Sequence, residues 1–262
     1  MTNKKIRLID LSIPVKNFAM ERPPFVPQIT YWDCNETARR MCSAFGFNVK
    51  DIPGGIHLNS DWVSMSTHSA THVDAPWHFG PTCEGKTART IDQVPLEWCY
   101  GEGVLLDVTH KKGGEIIGIE DLQAALKKID HHLVPGEIVL LRTDATKHYD
   151  EHDFDMISPG LGRKSLLWLL DQGIRTICID ANNLDVGTAL MVKRLKEGDK
   201  EQFYQCHYLG REKEYIHAEK LANFDQIPRP TGFYVALFPV KVEKASGGMC
   251  RAVAIVPEDE ST

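Results

Sequence analysis

The chain has 262 residues, with 30 Lys plus Arg against 36 Asp plus Glu and a net charge of −6. Hydrophobic residues make up 42% and charged residues 25%, which excludes a disordered or fibrous protein. The acidic balance argues against nucleic acid as a partner, because phosphate binding requires clustered Lys and Arg. Seven cysteines without a CxxC pair argue against a disulfide framework and favour the reducing cytoplasm.

The predicted elements mix strands and helices along the whole chain. In chain order they are a strand over 6–15, an irregular proline-rich stretch over 16–30, a helix over 36–45, a strand over 60–66, a strand over 103–108, a helix over 119–129, a strand over 137–142, a helix ending near Leu170 and stopped by Gly173, a strand over 175–180, and strands over 233–240 and 250–256 joined by Ser246-Gly247-Gly248. The strand–helix–strand order predicts an α/β protein.

Neither a linker nor a repeat interrupts this pattern, so the sequence predicts a single domain over residues 1–262. Charges interrupt the apolar residues near the N-terminus, which argues against a signal peptide. The longest apolar run, over 233–240, is far too short to span a bilayer, so no membrane partner is expected.

A histidine-rich segment carries the strongest chemical signal. It has the pattern His68-x3-His72-x-Asp74-x3-His78. Imidazole nitrogens and carboxylate oxygens are the ligands that Zn²⁺ and Mn²⁺ prefer. On an extended chain His72 and Asp74 point to the same face, and a bend would bring His68 to the same ion. Pro76 forbids a regular helix through the segment and separates His78 from the other three.

His78 is therefore interpreted as a proton carrier beside the ion, with a role as a fourth ligand left open. A second run, between Lys147 and Asp155, also contains His-x3-His with carboxylates. It has one apolar neighbour, Phe154, and is interpreted as a solvated loop.

The segment from His68 to His78 resembles the signature of the cyclase family of metal-dependent hydrolases, which includes bacterial kynurenine formamidase and isatin hydrolase. The similarity extends over most of the chain, through Ile9-Asp10-Leu11-Ser12, Ser158-Pro159-Gly160-Leu161, His207 with Glu219, and the closing strands. It implies one domain with a swivelling β/β/α architecture. One departure is Ala70, which stands where the family usually has Gly.

The resemblance implies that His68, His72, Asp74 and Glu219 bind a divalent ion, Zn²⁺ or Mn²⁺, with one or two ions per chain. His207 would be a ligand of a second ion, or would line the site if one ion binds. His78 would be the catalytic proton-transfer residue.

Aromatic residues near the cluster favour a flat substrate, although such residues are more often core. We expect Trp62, Trp77 and Phe79 to bind it. The resemblance implies hydrolysis of a non-peptide amide C–N bond by metal-activated water, in a cyclic amide such as isatin or an aryl formamide such as N-formylkynurenine.

Two alternatives stay open: lactone opening or cyclase-type ring chemistry at the same metal, and a non-catalytic metal-binding module. The resemblance also implies a homodimer or homotetramer, because the family is commonly oligomeric. The expected small-molecule partner is the substrate, an amide or a lactam.

Overall fold

The computed structural model of the chain describes residues 5–17 and 26–258. Their contacts divide them into two compact units, one from residues 5–15 and 67–258 and one from residues 16–17 and 26–66. The single domain over 1–262 stays a prediction. Most of the proline-rich stretch predicted to be irregular, residues 18–25, lies outside the described residues.

The described residues form fifteen strands and seven α-helices, with short 3-10 helices between them. The strands are β1 Ile6–Asp10, β2 Gln28–Trp32, β3 Ser60–Ser64, β4 His72–Asp74, β5 Thr82–Cys83, β6 Lys86–Thr87, β7 Tyr100–Asp107, β8 Ile116–Ile117, β9 Ile138–Arg142, β10 Gly160–Leu161, β11 Thr176–Ile179, β12 Ile216–Glu219, β13 Phe233–Ala236, β14 Gly247–Met249 and β15 Val253–Pro257. The helices are α1 Cys34–Phe45, α2 Pro76–Phe79, α3 Ile119–Lys128, α4 Phe154–Ile157, α5 Arg163–Asp171, α6 Thr188–Lys196 and α7 Gln205–Leu209.

Nine strands of the larger unit form one mixed sheet in the order β1-β15-β13-β7-β9-β11-β12-β4-β14. The four central strands, from β7 to β12 in this order, are parallel, and the outer strands pair antiparallel. Strands β9 and β11 are almost entirely buried, which explains their continuous apolar sequences. The sheet is therefore covered on both faces at its centre.

The helices predicted over 36–45 and 119–129 are present in the structure as α1 and α3. Helix α1 begins two residues before the prediction, because the Asp33 carboxylate accepts hydrogen bonds from the N–H groups of Asn35 and Glu36. It ends at Gly46, whose φ of +73° is left-handed. Helix α3 buries Leu122 and Leu126, as its apolar spacing predicts.

The predicted connection Ser246-Gly247-Gly248 is wrong as a turn. Gly247 and Gly248 lie in strand β14, which pairs with β4 at the far edge of the sheet. A Cβ on Gly247 would lie 2.7 Å from Cε1 of His68, so only glycine leaves room for that ring. The glycine pair therefore serves the packing of the histidine-rich segment.

The smaller unit contains α1 and a two-stranded antiparallel ribbon of β2 and β3. Ala38 is the buried residue of α1, and Trp62 on β3 is 64% exposed. None of the helices in the described ranges is long and apolar enough to cross a membrane. All seven cysteines are free thiols.

Candidate metal centre

The pairing of β4 with β12 places four polar side chains next to one another. His72 lies opposite Glu219, and Asp74 lies opposite His217. Because side chains alternate along a strand, residues two apart share a face, so all four point to the same side of the sheet. Each of the four is buried.

Asp74 is the centre of this arrangement because its two oxygens face different histidines. Oδ1 lies 2.6 Å from Nδ1 of His68 and 3.2 Å from Nε2 of His72. Oδ2 lies 2.9 Å from Nε2 of His217 and 3.7 Å from Nε2 of His207. One carboxylate therefore connects two sides of the centre.

Glu219 closes the arrangement from the neighbouring strand. Its Oε1 lies 3.0 Å from Nε2 of His217 and 3.9 Å from Nε2 of His207, and its Oε2 lies 3.8 Å from Nε2 of His72. The N–H of Leu184 donates to Oε1 at 2.8 Å, which fixes the carboxylate.

Hydrogen bonds on the far side of two imidazoles set their orientation. Nδ1 of His207, on helix α7, donates to Oδ2 of the fully buried Asp185 at 2.7 Å. Nδ1 of His72 donates to the carbonyl of Ala70 at 2.9 Å. Nε2 of each ring therefore faces the carboxylates, and in the neutral ring this nitrogen is the one free to bind a metal ion.

Ala70 reaches this position with a φ of +53°, in the left-handed region that favours glycine. The substitution of Ala for the usual glycine is thus accommodated with backbone strain. The strained residue carries the carbonyl that orients His72.

His68 and His78 form the more accessible side. The two rings lie 4.1 Å apart, and Nε2 of His78 is 3.8 Å from Oδ2 of Asp74. Nε2 of His68 also contacts Oγ of Ser246 at 2.8 Å. Pro76 begins the short helix α2, which carries His78 away from the strand. The His78 side chain remains 33% exposed.

Two sets of ligand atoms in the described residues are close enough to hold an ion, and both contain Asp74. We name Asp74, His207, His217 and Glu219 the buried group, and His68, Asp74 and His78 the outer group. In each, one ligand atom per residue lies within 4.8 Å of the others.

The electrostatics show that the carboxylates stay ionised and attract positive charge. Burial alone would raise the pKa of Asp74, but His72, His78 and His217 lower it well below its usual range. Burial likewise opposes the ionisation of Glu219, yet His217 and His207 lower its pKa to about 2. Both side chains are therefore anionic ligands at any physiological pH.

The pKa values of His207 and His78 are shifted in opposite directions. Burial would lower the pKa of His207, but Asp185 and Asp74 raise it to about 10. Burial lowers the pKa of His78 to about 4, and His68 and His207 contribute in the same direction against Asp74. His78 is thus a neutral base at neutral pH, as proton transfer requires.

The residues fit a divalent cation. Asp74 Oδ2 and His217 Nε2 are buried and make no hydrogen bond, although they lie 2.9 Å apart. Buried polar atoms normally have partners, and although burial would lower the pKa of His217, Asp74 and Glu219 raise it, so this space favours positive charge. The donor set of imidazole nitrogen and carboxylate oxygen is that of Zn²⁺ or Mn²⁺.

The structure brings together all six residues predicted to bind metal or transfer a proton: His68, His72, Asp74, His78, His207 and Glu219. Their roles stay predictions. Of the expected substrate-binding residues, Trp77 is 40% exposed on α2. Phe79 is buried and stacks on Tyr215 and His217, and Trp62 lies in the smaller unit.

The second histidine run is separate from this centre. His148 pairs with Glu151 at 2.7 Å, and both side chains are exposed, as a solvated segment predicts. Phe154 is buried in α4, and Asp155 accepts hydrogen bonds from the N–H groups of Thr188 and Ala189 at the start of α6.

Sequence reasoning missed His217 and Asp185. The signal for His217 was available, because it stands two residues before Glu219 and shares its face of β12. No sequence signal connects Asp185 to His207, since a loop and helix α6 separate them.

A family model described as "Putative cyclase" matches residues 9–186, about two thirds of the chain. The chain belongs to the Cyclase family. The kynurenine formamidase of Bacillus mycoides is 29% identical over 136 residues, 52% of this chain and 56% of that protein. The match thus spans about half the length of this cyclase relative.

Longer matches within the cyclase family have lower identity. The isatin hydrolase of Roseibium aggregatum is 26% identical over 76% of this chain and 75% of that protein. An isatin hydrolase crystal structure bound to the product analogue thioisatinate is similar with a TM-score of 0.73, 20% identity, and coverage of 97% of this chain and 93% of that one. This likeness confirms the predicted fold class, the mixed α/β architecture of the cyclase family.

Proposed function

We propose that this chain is a metal-dependent hydrolase that cleaves a non-peptide amide C–N bond. The observation that carries the proposal is the convergence of three histidine Nε2 atoms on the carboxylates of Asp74 and Glu219, with a neutral His78 at the accessible side. The substrate class comes from relatives named kynurenine formamidase and isatin hydrolase.

The predicted ligands His68, His72, Asp74, Glu219 and His207 would hold the ion or ions. A bound divalent cation supplies a lowered pKa of water and polarisation of the amide carbonyl. Asp74 links the buried group and the outer group, because it belongs to both.

His78 is the proton carrier in this proposal. Its Nε2 accepts a proton from the attacking water and then donates it to the departing nitrogen, so the proton is conserved over the cycle. Its exposure lets it reach a bound substrate, and its lowered pKa keeps it unprotonated before the reaction.

The substrate is proposed to be a cyclic amide such as isatin or an aryl formamide such as N-formylkynurenine. Trp62, Trp77 and Phe79 are proposed to contribute aromatic surface. Phe79 would act through the rings that it packs against, because it is buried.

The proposals for the metal ion, the assembly, the location and the partners come from the sequence and the family resemblance. We propose Zn²⁺ or Mn²⁺ as the ion, a homodimer or homotetramer as the assembly, and the cytoplasm as the location. We propose no nucleic-acid or membrane partner, in keeping with the net charge of −6 and the short apolar runs.

The test begins with elemental analysis of the purified chain, followed by chelation and reloading with Zn²⁺ or Mn²⁺. Turnover is then measured on isatin, N-formylkynurenine, hydantoin, dihydropyrimidine and a lactone matched to the active lactam. We expect bound metal and hydrolysis of an amide in preference to its lactone. Absence of bound transition metal under every loading condition would refute the proposal.

Asp74→Ala is the decisive variant because it removes a ligand from both groups. We expect loss of the bound metal and a fall in kcat/KM of at least ~10³-fold, about 4 kcal/mol of transition-state stabilisation. His148→Ala, which removes an exposed histidine outside the centre, is the matched control and should leave both unchanged.

A further inference from the structure

Helix α2 carries His78, the proposed proton carrier, and must be held in place by contacts from outside the helix. It contains only the four residues Pro76–Phe79. A helix this short is not stable by itself, and its last carbonyl groups find no partner within it. At its start, the N–H of Trp77 donates to the carbonyl of Arg89 at 2.9 Å. The end of the helix requires a partner of its own.

The ring of His78 does not supply that partner. Within the described ranges of the chain, its closest polar neighbour is Oδ2 of Asp74, and the distance of 3.8 Å from Nε2 is too long for a hydrogen bond. It also lies against the rings of His68 and His207, at centroid distances of 4.1 and 5.4 Å. The position of Nε2 therefore depends on the backbone of α2.

Arg211 provides the missing partner at the end of α2, although neither the histidine motif nor the resemblance assigns it a role. Its Nε donates to the carbonyl of Phe79, the residue after His78, at 2.6 Å. The backbone forms a second link, because the N–H of Glu84 donates to the carbonyl of Arg211 at 3.3 Å. Arg211 therefore holds the chain at the end of α2 and again at Glu84.

Packing in turn fixes the side chain of Arg211. The central carbon of its guanidinium lies 3.8 Å from the centroid of the Tyr208 ring, which is a cation–π contact. Tyr208 belongs to α7, the helix that also carries His207. Gly80 leaves room for this arginine, because a Cβ there would lie 3.1 Å from its Cγ and its Nε. Arg211 thus joins the end of α2 to a helix of the metal centre.

We propose that Arg211 is the positioning residue of His78. This inference rests on the proposed function, because it assumes that His78 transfers a proton. Such transfer requires Nε2 to stay within hydrogen-bond reach of the substrate, and a displacement of about 1 Å costs about 10²-fold in rate. Asp74 and Glu219 lie on strands β4 and β12, which pair directly with each other, so metal binding does not depend on Arg211.

The experiment is a double-mutant cycle between Arg211 and His78. It uses the full-length, metal-loaded chain and the amide that the unaltered chain hydrolyses fastest. Arg211→Met keeps a long side chain and removes the donor. We expect kcat to fall about 10–100-fold while KM changes by less than ~3-fold and the metal content is unchanged. In the His78→Ala background the same substitution should leave kcat unaltered, because the residue that Arg211 positions is absent.

Gly80→Ala is a second variant that displaces Arg211 without removing its charge. Gly80 has a φ of 163° and a ψ of 171°, an extended conformation that alanine also adopts, so the substitution acts through its methyl group. We expect a smaller fall in kcat than in Arg211→Met, again absent in the His78→Ala background. Arg163→Met is the matched control, because Arg163 is a partly exposed arginine paired with Glu212, and it should leave kcat unchanged.

A measurement without turnover follows His78 itself. Imidazole NMR resonances are recorded for the chain labelled with ¹⁵N-histidine, and those of His78 are identified by their loss in His78→Ala. We expect Arg211→Met and Gly80→Ala to shift or broaden them. The resonances of His148, which is exposed and outside the centre, should be unchanged. Thermal melting checks that each variant folds.

The inference is overturned if the folded variants keep the kcat of the unaltered chain, or if they lower kcat by the same factor with and without His78. It is also overturned if the His78 resonances are unchanged in them. Each of these results leaves the proposed hydrolase intact. Absence of amide hydrolysis by the unaltered, metal-loaded chain would instead remove the proposed function itself.

Discussion

The buried group and the outer group share Asp74 and differ in almost everything else. The other buried ligands, His207, His217 and Glu219, have side chains at most 7% exposed. In the outer group the side chains of His68 and His78 are 23% and 33% exposed. Burial strengthens the attraction between a cation and its ligands, whereas exposure admits water and substrate. The Asp74 carboxylate thus belongs both to a buried set of ligand atoms and to a set that water and substrate can reach.

The largest expected effect that separates the groups is that of His78→Ala. Loss of the proton carrier should lower kcat by about 10²–10⁴-fold, because general acid–base catalysis contributes this much. Elemental analysis should find the metal content unchanged. A variant that loses an ion would show instead that His78 is a ligand.

Asp185→Asn tests the buried group alone. The carboxylate of Asp185 accepts from His207 Nδ1 and from the N–H of Cys206, so the amide disturbs the tautomer of His207. We expect metal held by the buried group to bind about 10–100-fold more weakly, measured by competition with a chelator. Asp180→Asn is the control, since Asp180 is buried beside Thr143 and Asp144, outside both groups. An equal loss in both variants would contradict the expectation.

The pH dependence of kcat tests whether His78 is neutral before the reaction. Burial lowers its pKa to about 4, so at pH 5 about 90% of the side chain is neutral, against about 3% for an ordinary histidine. The ratio of kcat between the unaltered chain and His78→Ala should therefore stay constant from pH 8 to pH 5. A ratio that falls through pH 6.5 would contradict the lowered pKa.

The lowered pKa of His78 also makes the free energy of unfolding fall as the pH falls. The unfolded chain takes up a proton near pH 6.5, before the folded chain does so near pH 4. The contribution of His78 is present above pH 6.5 and is lost as the pH falls toward 4. Denaturant midpoints of the unaltered chain and His78→Ala, compared across this window, would measure it.

The smallest expected effect is that of Ala70→Gly. Glycine relieves the left-handed conformation, which costs an alanine about 1 kcal/mol, although it also adds freedom to the unfolded chain. We expect a net gain of about 0.5 kcal/mol in the free energy of unfolding, measured by urea denaturation. A lower midpoint would show that the Ala70 methyl contributes packing that outweighs the strain.

Local signals in the sequence were sufficient for strands β7, β9 and β11, for helices α1, α3 and α5, and for the histidine-rich part of the centre, but not for strand β12 or helices α6 and α7. Apolar spacing predicted α3 and the buried strands β9 and β11 because periodicity depends only on which faces are covered. The histidine-rich segment was recognised because its ligands lie within eleven residues. The Gly247-Gly248 pair was misinterpreted, because glycine serves a turn and a close approach equally well.

The sequence by itself determined the α/β class, the ligand chemistry of the segment from His68 to His78, and the family. Only the tertiary structure decided that His217 faces Asp74, because strand β12 reaches β4 through pairing between distant segments. Likewise, only the fold brings Asp185 behind His207. Period-two alternation shows which residues share a face of one strand, but the register between strands depends on packing across the sheet.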